Sequence, residues 1–328
     1  MKQILNRLYQ HQKLSRSEAK ETLVNISEGQ YNEAQIASFL TVFMMRHITV
    51  EELQGFRDAL LELLLPIDLE GRETIDIVGT GGDGKNTFNI STVSAFVVAG
   101  AGYPVSKHGN YGASSVSGSS NVLQHLGYQF SSDEDELKSQ LGRANICFFH
   151  APLFHPAMKA VGPIRRQLGV RTFFNMLGPL VNPAQPKYQL FGTFSLELSR
   201  LYQYVLQQSE KQFAVVYALD GYDEISLTGA FKLRTHHSEA LLSPSDLGKP
   251  KYAQEDLSGG KSVADAATIF VNILENKGTP AQMDVVAANA AVAIHCIKPE
   301  QSLTECVDEA MDSLESGKAL KCLKKLVN

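Results

Sequence analysis

Four stretches of this chain concentrate residues that hold anions or hard cations. Gly79, Thr80, Gly81, Gly82, Asp83 and Gly84 run consecutively behind a short apolar segment. Glycines lack a Cβ, so backbone N–H groups can turn toward a bound anion, and the run reads as a phosphate cradle. Read as GxGxxG it would be a dinucleotide fingerprint, but a helix should then begin at once and an acidic residue should follow about 20 positions on. Read as GxxxxGK it approaches a Walker A loop, yet Asn86 stands where Ser or Thr would hold magnesium. A glycine turn with no ligand is the remaining alternative. Asn89, Ile90, Ser91 and Thr92 then precede an apolar stretch of helical texture from Val93. Their hydroxyls and backbone donors fall at a helix N-terminus, where anions are favoured, with a plain Ser or Thr cap as the alternative. Two donor-rich turns so close together suit a pyrophosphate better than one phosphate.

Two further stretches add charge. Lys107, His108, Gly109 and Asn110 follow the short segment 103–106 and are expected on a strand-end loop, with Ser114, Ser115, Ser117, Ser119 and Ser120 beyond them around Gly118. A flexible serine loop is the alternative there. Asp220, Gly221, Tyr222, Asp223 and Glu224 close an apolar run and place two adjacent carboxylates at a strand end. Hard oxygen ligands of this kind suit magnesium, which one or two carboxylates commonly hold together with substrate phosphates. An isolated pair would read as a solvated acidic turn.

The elements that position these stretches are legible in outline. Ser15 with Glu18, Asn32 with Gln35, and Thr49 with Glu52 form three capping-box signals within the first 65 residues. Ile36, Phe39, Leu40, Phe43 and Met44 fall at helical spacing, a stripe for a core or a partner. A helix-turn-helix reader of DNA is disfavoured, because acidic and basic residues balance in this segment. From Glu73 onward short apolar runs alternate with helical stretches, which predicts an α/β fold with a mostly parallel sheet. The clearest strands are 75–78, 147–149, 189–193 and 213–219, and the clearest helices 93–101, 197–208 and 283–296, with a shorter helical segment at 122–126. The expected organisation is a helical domain at 1–65, joined by a later helical segment near 156–180, and an α/β domain at 73–328. In such sheets ligands sit beyond the carboxyl ends of the strands.

Composition narrows the class. The 328 residues are 44% hydrophobic and 20% charged with a net charge of -5, which is the profile of a globular protein and offers no broad basic footprint for nucleic acid or an anionic membrane. No stretch is apolar over the roughly 20 residues that a membrane span needs, and the first residues lack a signal-peptide core, so a cytoplasmic protein is expected. Cys147, Cys296, Cys306 and Cys322 are widely spaced without zinc-ligand patterning and read as reduced.

Together the loops resemble those of the anthranilate phosphoribosyltransferase family. The residues that carry the resemblance are GTGGD at 79–83, NIST at 89–92, KHGN at 107–110, HPAMK at 155–159, RTFFNMLGPLVNP at 171–183 and DGYDE at 220–224, in that order along the whole chain. The resemblance implies an architecture shared with pyrimidine nucleoside phosphorylases, a small helical domain beside a larger α/β domain. It implies that phosphoribosyl pyrophosphate (PRPP) is held by Gly79, Gly82, Asp83, Thr87, Asn89, Ile90, Ser91, Thr92, Lys107, Ser115 and Ser119. It places magnesium at Ser91, Asp223 and Glu224, anthranilate at Gly79, Asn110 and Arg165, and a homodimer contact on the helical domain. Two positions depart from many relatives: Tyr111 stands where Arg follows KHGN, and Asn121 where Asp is common. The first removes a cation near the ribosyl phosphate.

The implied chemistry needs no dedicated nucleophile. Departure of magnesium-bound pyrophosphate leaves positive charge on the ribose, and a neutral aromatic amine attacks without a strong base. His108 is a candidate proton acceptor, with a loop-ordering hydrogen bond as the alternative. Phosphorolysis of a nucleoside is the nearest rival reaction, and KHGN followed by HPAMK and DGYDE argues against it. A nucleic-acid-binding protein of the same fold is the rival from another class, and the pI of about 6.0 argues against that.

Overall fold

The computed structural model describes residues 1–112 and 116–328, which divide into two compact units. The first unit combines 1–67 with 151–183, and the second combines 68–150 with 184–328.

In the first unit each predicted capping box forms. Ser15, Asn32 and Thr49 accept the N–H of Glu18, Gln35 and Glu52, whose side chains reach back to the capping residue's own N–H. These caps start the helices Arg16–Ser27, Glu33–Met45 and Val50–Leu63, after a first helix Lys2–Tyr9. Glu52 has a second duty: fully buried, it also accepts the Leu14 N–H at 2.9 Å and pairs with Arg46 at 2.5 Å, which fastens the loops ahead of two helices. The stripe read from sequence is buried at Ile36, Phe39, Leu40 and Phe43, whereas Met44 is exposed. Phe39, Phe43 and Phe56 meet Phe173 from the later segment, with Phe56 and Phe173 stacked at 4.4 Å between ring centroids. Thus one aromatic cluster, whose rings come from positions more than a hundred residues apart, binds two stretches of chain into one unit. The later segment also contributes the helix Pro156–Leu168, which opens with Pro at its first turn and closes on Gly169 in the left-handed region.

The second unit is built on one seven-stranded sheet: β1 (Ile75–Gly79), β2 (Val105–Gly109), β3 (Ile146–His150), β4 (Tyr188–Gly192), β5 (Gln212–Ala218), β6 (Phe231–Thr235) and β7 (Glu239–Leu242). Their order is β3-β2-β1-β4-β5-β6-β7. The first five run parallel, and β6 and β7 extend the sheet antiparallel. The expected mostly parallel α/β fold is borne out. Hydrophobic runs such as Ile75, Ile77, Leu190, Val215 and Val216 are buried, as a sheet covered on both faces requires. The helices Ile90–Gly100 and Pro280–Ile297 are almost wholly buried against that sheet, and their Ala and Val residues allow close packing.

Chain order determines where a ligand can enter. From β1 the chain runs to β2 and β3 on one side, and β4 and β5 lie on the other. The carboxyl ends of β1 and β4, neighbours in register from Ile75 with Tyr188 to Gly79 with Gly192, therefore diverge into loops on opposite sides. A crevice at such a switch point is the usual ligand site of an open α/β sheet.

Phe173→Ala removes the ring shared by both stretches of the first unit. It should lower stability by about 3–5 kcal/mol, read from denaturant unfolding followed by circular dichroism. A loss below about 1 kcal/mol would show that the cluster does not join them.

Candidate functional site

The glycine run leaves β1 at that crevice. Gly81 and Gly82 have φ of +65° and +78°, a backbone that side-chained residues rarely adopt, so the tight turn depends on them. The loop is secured from below by the segment before the helix Val263–Leu274: Gly259 N–H donates to Asn86 O at 2.7 Å and Asn86 Nδ2 to Gly260 O at 2.8 Å. Thr87 makes an isolated bridge with Ser258. Two polar atoms of the loop, Thr80 Oγ1 and Asn89 Oδ1, are buried without a hydrogen-bond partner. Buried polar atoms are ordinarily paired, so these two are exceptions within the loop.

The acidic stretch crosses this loop from the far side. Asp223 Oδ2 accepts the Gly81 N–H at 2.6 Å, and Glu224 Oε1 accepts the Ser91 N–H at 2.9 Å. The helix Ile90–Gly100 has Asn89 as its N-cap without a side-chain cap bond, so neither Ser91 nor Thr92 is the plain cap that the sequence left open. Glu224 supplies the acceptor instead, a carboxyl oxygen at the positive end of the helix. The approach is possible because two strand ends carry glycine. A Cβ on Gly79 would lie 2.4 Å from Asp223 Oδ2, and one on Gly192 would lie 1.5 Å from the Asp223 carbonyl oxygen.

This seating places carboxyl groups together in a dry place. Burial first, and then the Asp83 carboxylate, push the Asp223 carboxyl up to about 7, against the opposing pull of the Gly81 N–H. Burial and then Asp223 push Glu224 well above the usual carboxylate range, while the Ser91 N–H and Lys107 act the other way. Among the described residues no three His, Cys, Asp or Glu side chains converge as an all-protein metal site. Two crowded carboxylates beside Ser91 are nevertheless oxygen donors of the kind that suit a magnesium ion sharing its shell with a substrate. The residues fit that ion.

Lys107 differs from expectation. It lies within β2 rather than on a loop, is 2% exposed, and donates from Nζ to Ile77 O at 2.6 Å. Burial lowers its proton affinity, and Asp76 and Glu224 partly restore it. His108 is also in the strand and buried, and its N–H donates to Asp76 Oδ1 at 3.1 Å. β1 and β2 are in register at Ile75 with Val105. Above that point these two side-chain bonds bridge the strands, so Asp76 is a supporting residue that the sequence reading missed.

The other expected residues sort by element. Gly82, Asp83, Thr87, Asn89 and Ser91 line the two turns, and Asp83 Oδ1 caps the Lys85 N–H at 2.9 Å. The Ile90 N–H is directed to Phe88 O at 2.7 Å and its side chain is buried, while Thr92 is buried with its N–H on Asn89 O. Asn89 Nδ2 donates to Ser117 O at 3.1 Å, and Ser119 Oγ to Asn110 O at 3.3 Å, so the serine stretch is tied to both loops. Ser115 lies outside the described residues. Tyr111 packs edge-on against His150 at 4.8 Å, and Asn121 Oδ1 accepts the N–H of both Gly112 and Gly118 at 2.9 Å. An amide oxygen performs that acceptor task as a carboxylate would, so Asn keeps both bonds. Arg165 belongs to the first unit. It is half-buried, donates to Asn175 Oδ1 at 3.2 Å and lies over the Phe174 ring, and no carboxylate pairs with it among the described residues. Arg166 beside it is exposed.

Residues 2–63 match the glycosyl transferase family, helical bundle domain, and residues 71–320 match the glycosyl transferase family, a/b domain. An anthranilate phosphoribosyltransferase of Bacteroides thetaiotaomicron is 58% identical over 327 residues, covering 100% of this chain and 98% of that one. The chain belongs to the anthranilate phosphoribosyltransferase family. Among solved structures, the enzyme of this family from Thermus thermophilus superposes with a TM-score of 0.92 at 32% identity, covering 98% of each chain. The anthranilate phosphoribosyltransferase of Saccharomyces cerevisiae in complex with PRPP and magnesium superposes with a TM-score of 0.91 at 27% identity, over 98% of this chain and 95% of that one.

The seating of the acidic stretch can be tested by size alone. Gly192→Ala forces the Asp223 backbone to move and should cost about 1–3 kcal/mol together with most of the turnover. Gly142→Ala, in a helix with only an ordinary contact at 3.9 Å, should be neutral or stabilising by about 0.5–1 kcal/mol. Equal thermal stability and activity for the two variants would contradict the close approach.

Proposed function

We propose that the protein transfers the phosphoribosyl group of PRPP to the amino group of anthranilate, yielding N-(5-phosphoribosyl)anthranilate and pyrophosphate, as a step of tryptophan biosynthesis. The observation that carries the reading is the buried acidic pair facing two donor-rich turns at one sheet crevice, in a chain of this family. Asp223 and Glu224, with Ser91, would hold magnesium, which neutralises charge on the departing pyrophosphate when bound. The turns at 79–92 offer N–H and hydroxyl donors to the same leaving group, and buried Lys107 acts on the acid pair through Glu224. Charge that develops on pyrophosphate is thus met by groups fixed in advance, whose orientation costs nothing at the moment of reaction.

The acceptor needs orientation more than activation, since an aromatic amine is uncharged near neutral pH. Arg165 suits that task. Its guanidinium is held by Asn175 and Phe174 yet has no acidic partner among the described residues, and a planar fork grips a carboxylate with two parallel bonds. Asn110 is exposed at the end of β2, next to the serine stretch, and would contribute a polar edge to amine binding. His108 is buried and its backbone N–H is tied to Asp76, which favours an ordering role over proton transfer.

We further infer a homodimer through the first unit and a cytoplasmic setting. The exposed Tyr9, Met44, Met45 and Leu65 support the dimer, and among the described residues no helix is long and apolar enough to cross a membrane. Sedimentation should give twice the chain mass at micromolar concentration, and a monomer there would count against this interface.

Activity is checked by the loss of anthranilate fluorescence, which should require both PRPP and magnesium. Phosphorolysis of thymidine or uridine in its place would sink the assignment. Arg165→Ala removes a charge-assisted contact worth about 1.5–3 kcal/mol and should raise KM for anthranilate roughly ten- to a hundredfold. KM for PRPP should change little. Equal weakening of both substrates would move Arg165 to the phosphate site.

A further inference from the structure

The acidic stretch is gripped at one more point, directly after Glu224. Asn289, on the helix Pro280–Ile297, accepts the Ile225 N–H through Oδ1 at 3.0 Å. Its Nδ2 donates to Ile225 O at 2.8 Å and to Val285 O, one turn earlier on its own helix, at 2.8 Å. A side-chain amide carries an acceptor and two donors in one plane, and here it pairs with both backbone groups of a single residue as a neighbouring strand would. Asn289 is 3% exposed and sits among Ala287, Ala288, Ala290 and Ala291, which have no polar side-chain atoms to offer. If Ile225 moved away, the Asn289 carbonyl oxygen and one of its amide N–H groups would be left unpaired in a buried place, so the arrangement resists displacement.

We propose that Asn289 is a positioning residue for the metal-binding acid pair. It fixes Ile225, the residue from which Glu224 and Asp223 are suspended, and so keeps their carboxylates at the Ser91 and Gly81 N–H groups. The inference rests on Asp223 and Glu224 being the magnesium ligands. A merely structural asparagine would, when replaced, lower stability and leave metal affinity in the folded protein untouched. A positioning asparagine links the two. The amine site should not notice the change, because Asn289 reaches the chemistry only through the acidic stretch.

The test uses Tb3+ alone as a probe, a hard cation whose emission is sensitised by nearby tyrosine, and Tyr222 lies within the acidic stretch of a chain that has no tryptophan. The full chain, Asp223→Asn with Glu224→Gln, and Asn289→Ser are titrated, each after circular dichroism shows it folded. The double variant defines the emission belonging to this site. Asn289→Ser should weaken that component about tenfold or more, the usual effect of removing a group that orients metal ligands. Its KM for anthranilate should stay within about twofold of the parent. If the double variant keeps the whole signal, the metal reading fails first and carries this inference with it. If the double variant loses the signal while folded Asn289→Ser retains parental affinity, the inference alone is overturned. Should Asn289→Ser not fold, amide exchange of Ile225 in the parent decides: slow exchange without metal supports the clamp, and exchange as fast as that of an exposed loop overturns it.

Discussion

The structure turns on two carboxylates brought out of water onto the ends of two parallel strands. Asp223 and Glu224 gain one backbone N–H each, from Gly81 and Ser91. In exchange they lose hydration and approach one another and Asp83. A hydrogen bond to a charged group returns about 1.5–3 kcal/mol, whereas an unpaired buried charge costs several. The pair is therefore frustrated in the absence of a cation, and neighbouring features either permit that state or limit its cost. Glycine at 79 and 192 makes room for it, the N-terminus of the helix Ile90–Gly100 and buried Lys107 lower its potential, and Asn289 prevents the stretch from swinging back to solvent.

The frustration also explains the division of labour. Under the proposed function, a site that takes pyrophosphate and a divalent cation together would not be electrically satisfied with either missing. The cradle accordingly leaves Thr80 Oγ1 and Asn89 Oδ1 unpaired on one side and crowds carboxylates on the other. Arg165 shows the converse condition in the first unit, a half-buried cation with no acid beside it among the described residues.

Much of the fold is legible in sequence because its signals are local. A capping box spans only three residues beyond the cap, and apolar runs such as 75–78 and 213–219 announce buried strands by composition. The same local logic misplaces Lys107 and His108: polar residues read as loop, and only the bonds to Ile77 and Asp76 explain how a strand can hold them. β6 and β7 escape it as well, since a charged edge pair such as Lys232 and Glu239 resembles a surface turn. Within the candidate site the anion loops are visible as motifs, with glycine and hydroxyl residues in sequence. Gly192, Asp76 and Asn289 are not, because each acts on a residue more than thirty positions away, and nothing in its own neighbourhood marks it.

Burial and crowding disfavour the ionised forms of Asp223 and Glu224, and pH-dependent stability measures this directly. With Asp223 raised to about 7 from an ordinary value near 3.8, the folded state holds protons that the unfolded state has already released. Stability from this source is complete below the unfolded value and is lost as pH rises through about 7, at up to about 1.4 kcal/mol per pH unit. The Tm of the parent in EDTA should therefore fall from pH 5 to pH 8 relative to the variant carrying Asp223→Asn and Glu224→Gln, and saturating magnesium should cancel the difference. Parallel pH profiles for the two proteins, or a difference that magnesium leaves unchanged, would contradict the account.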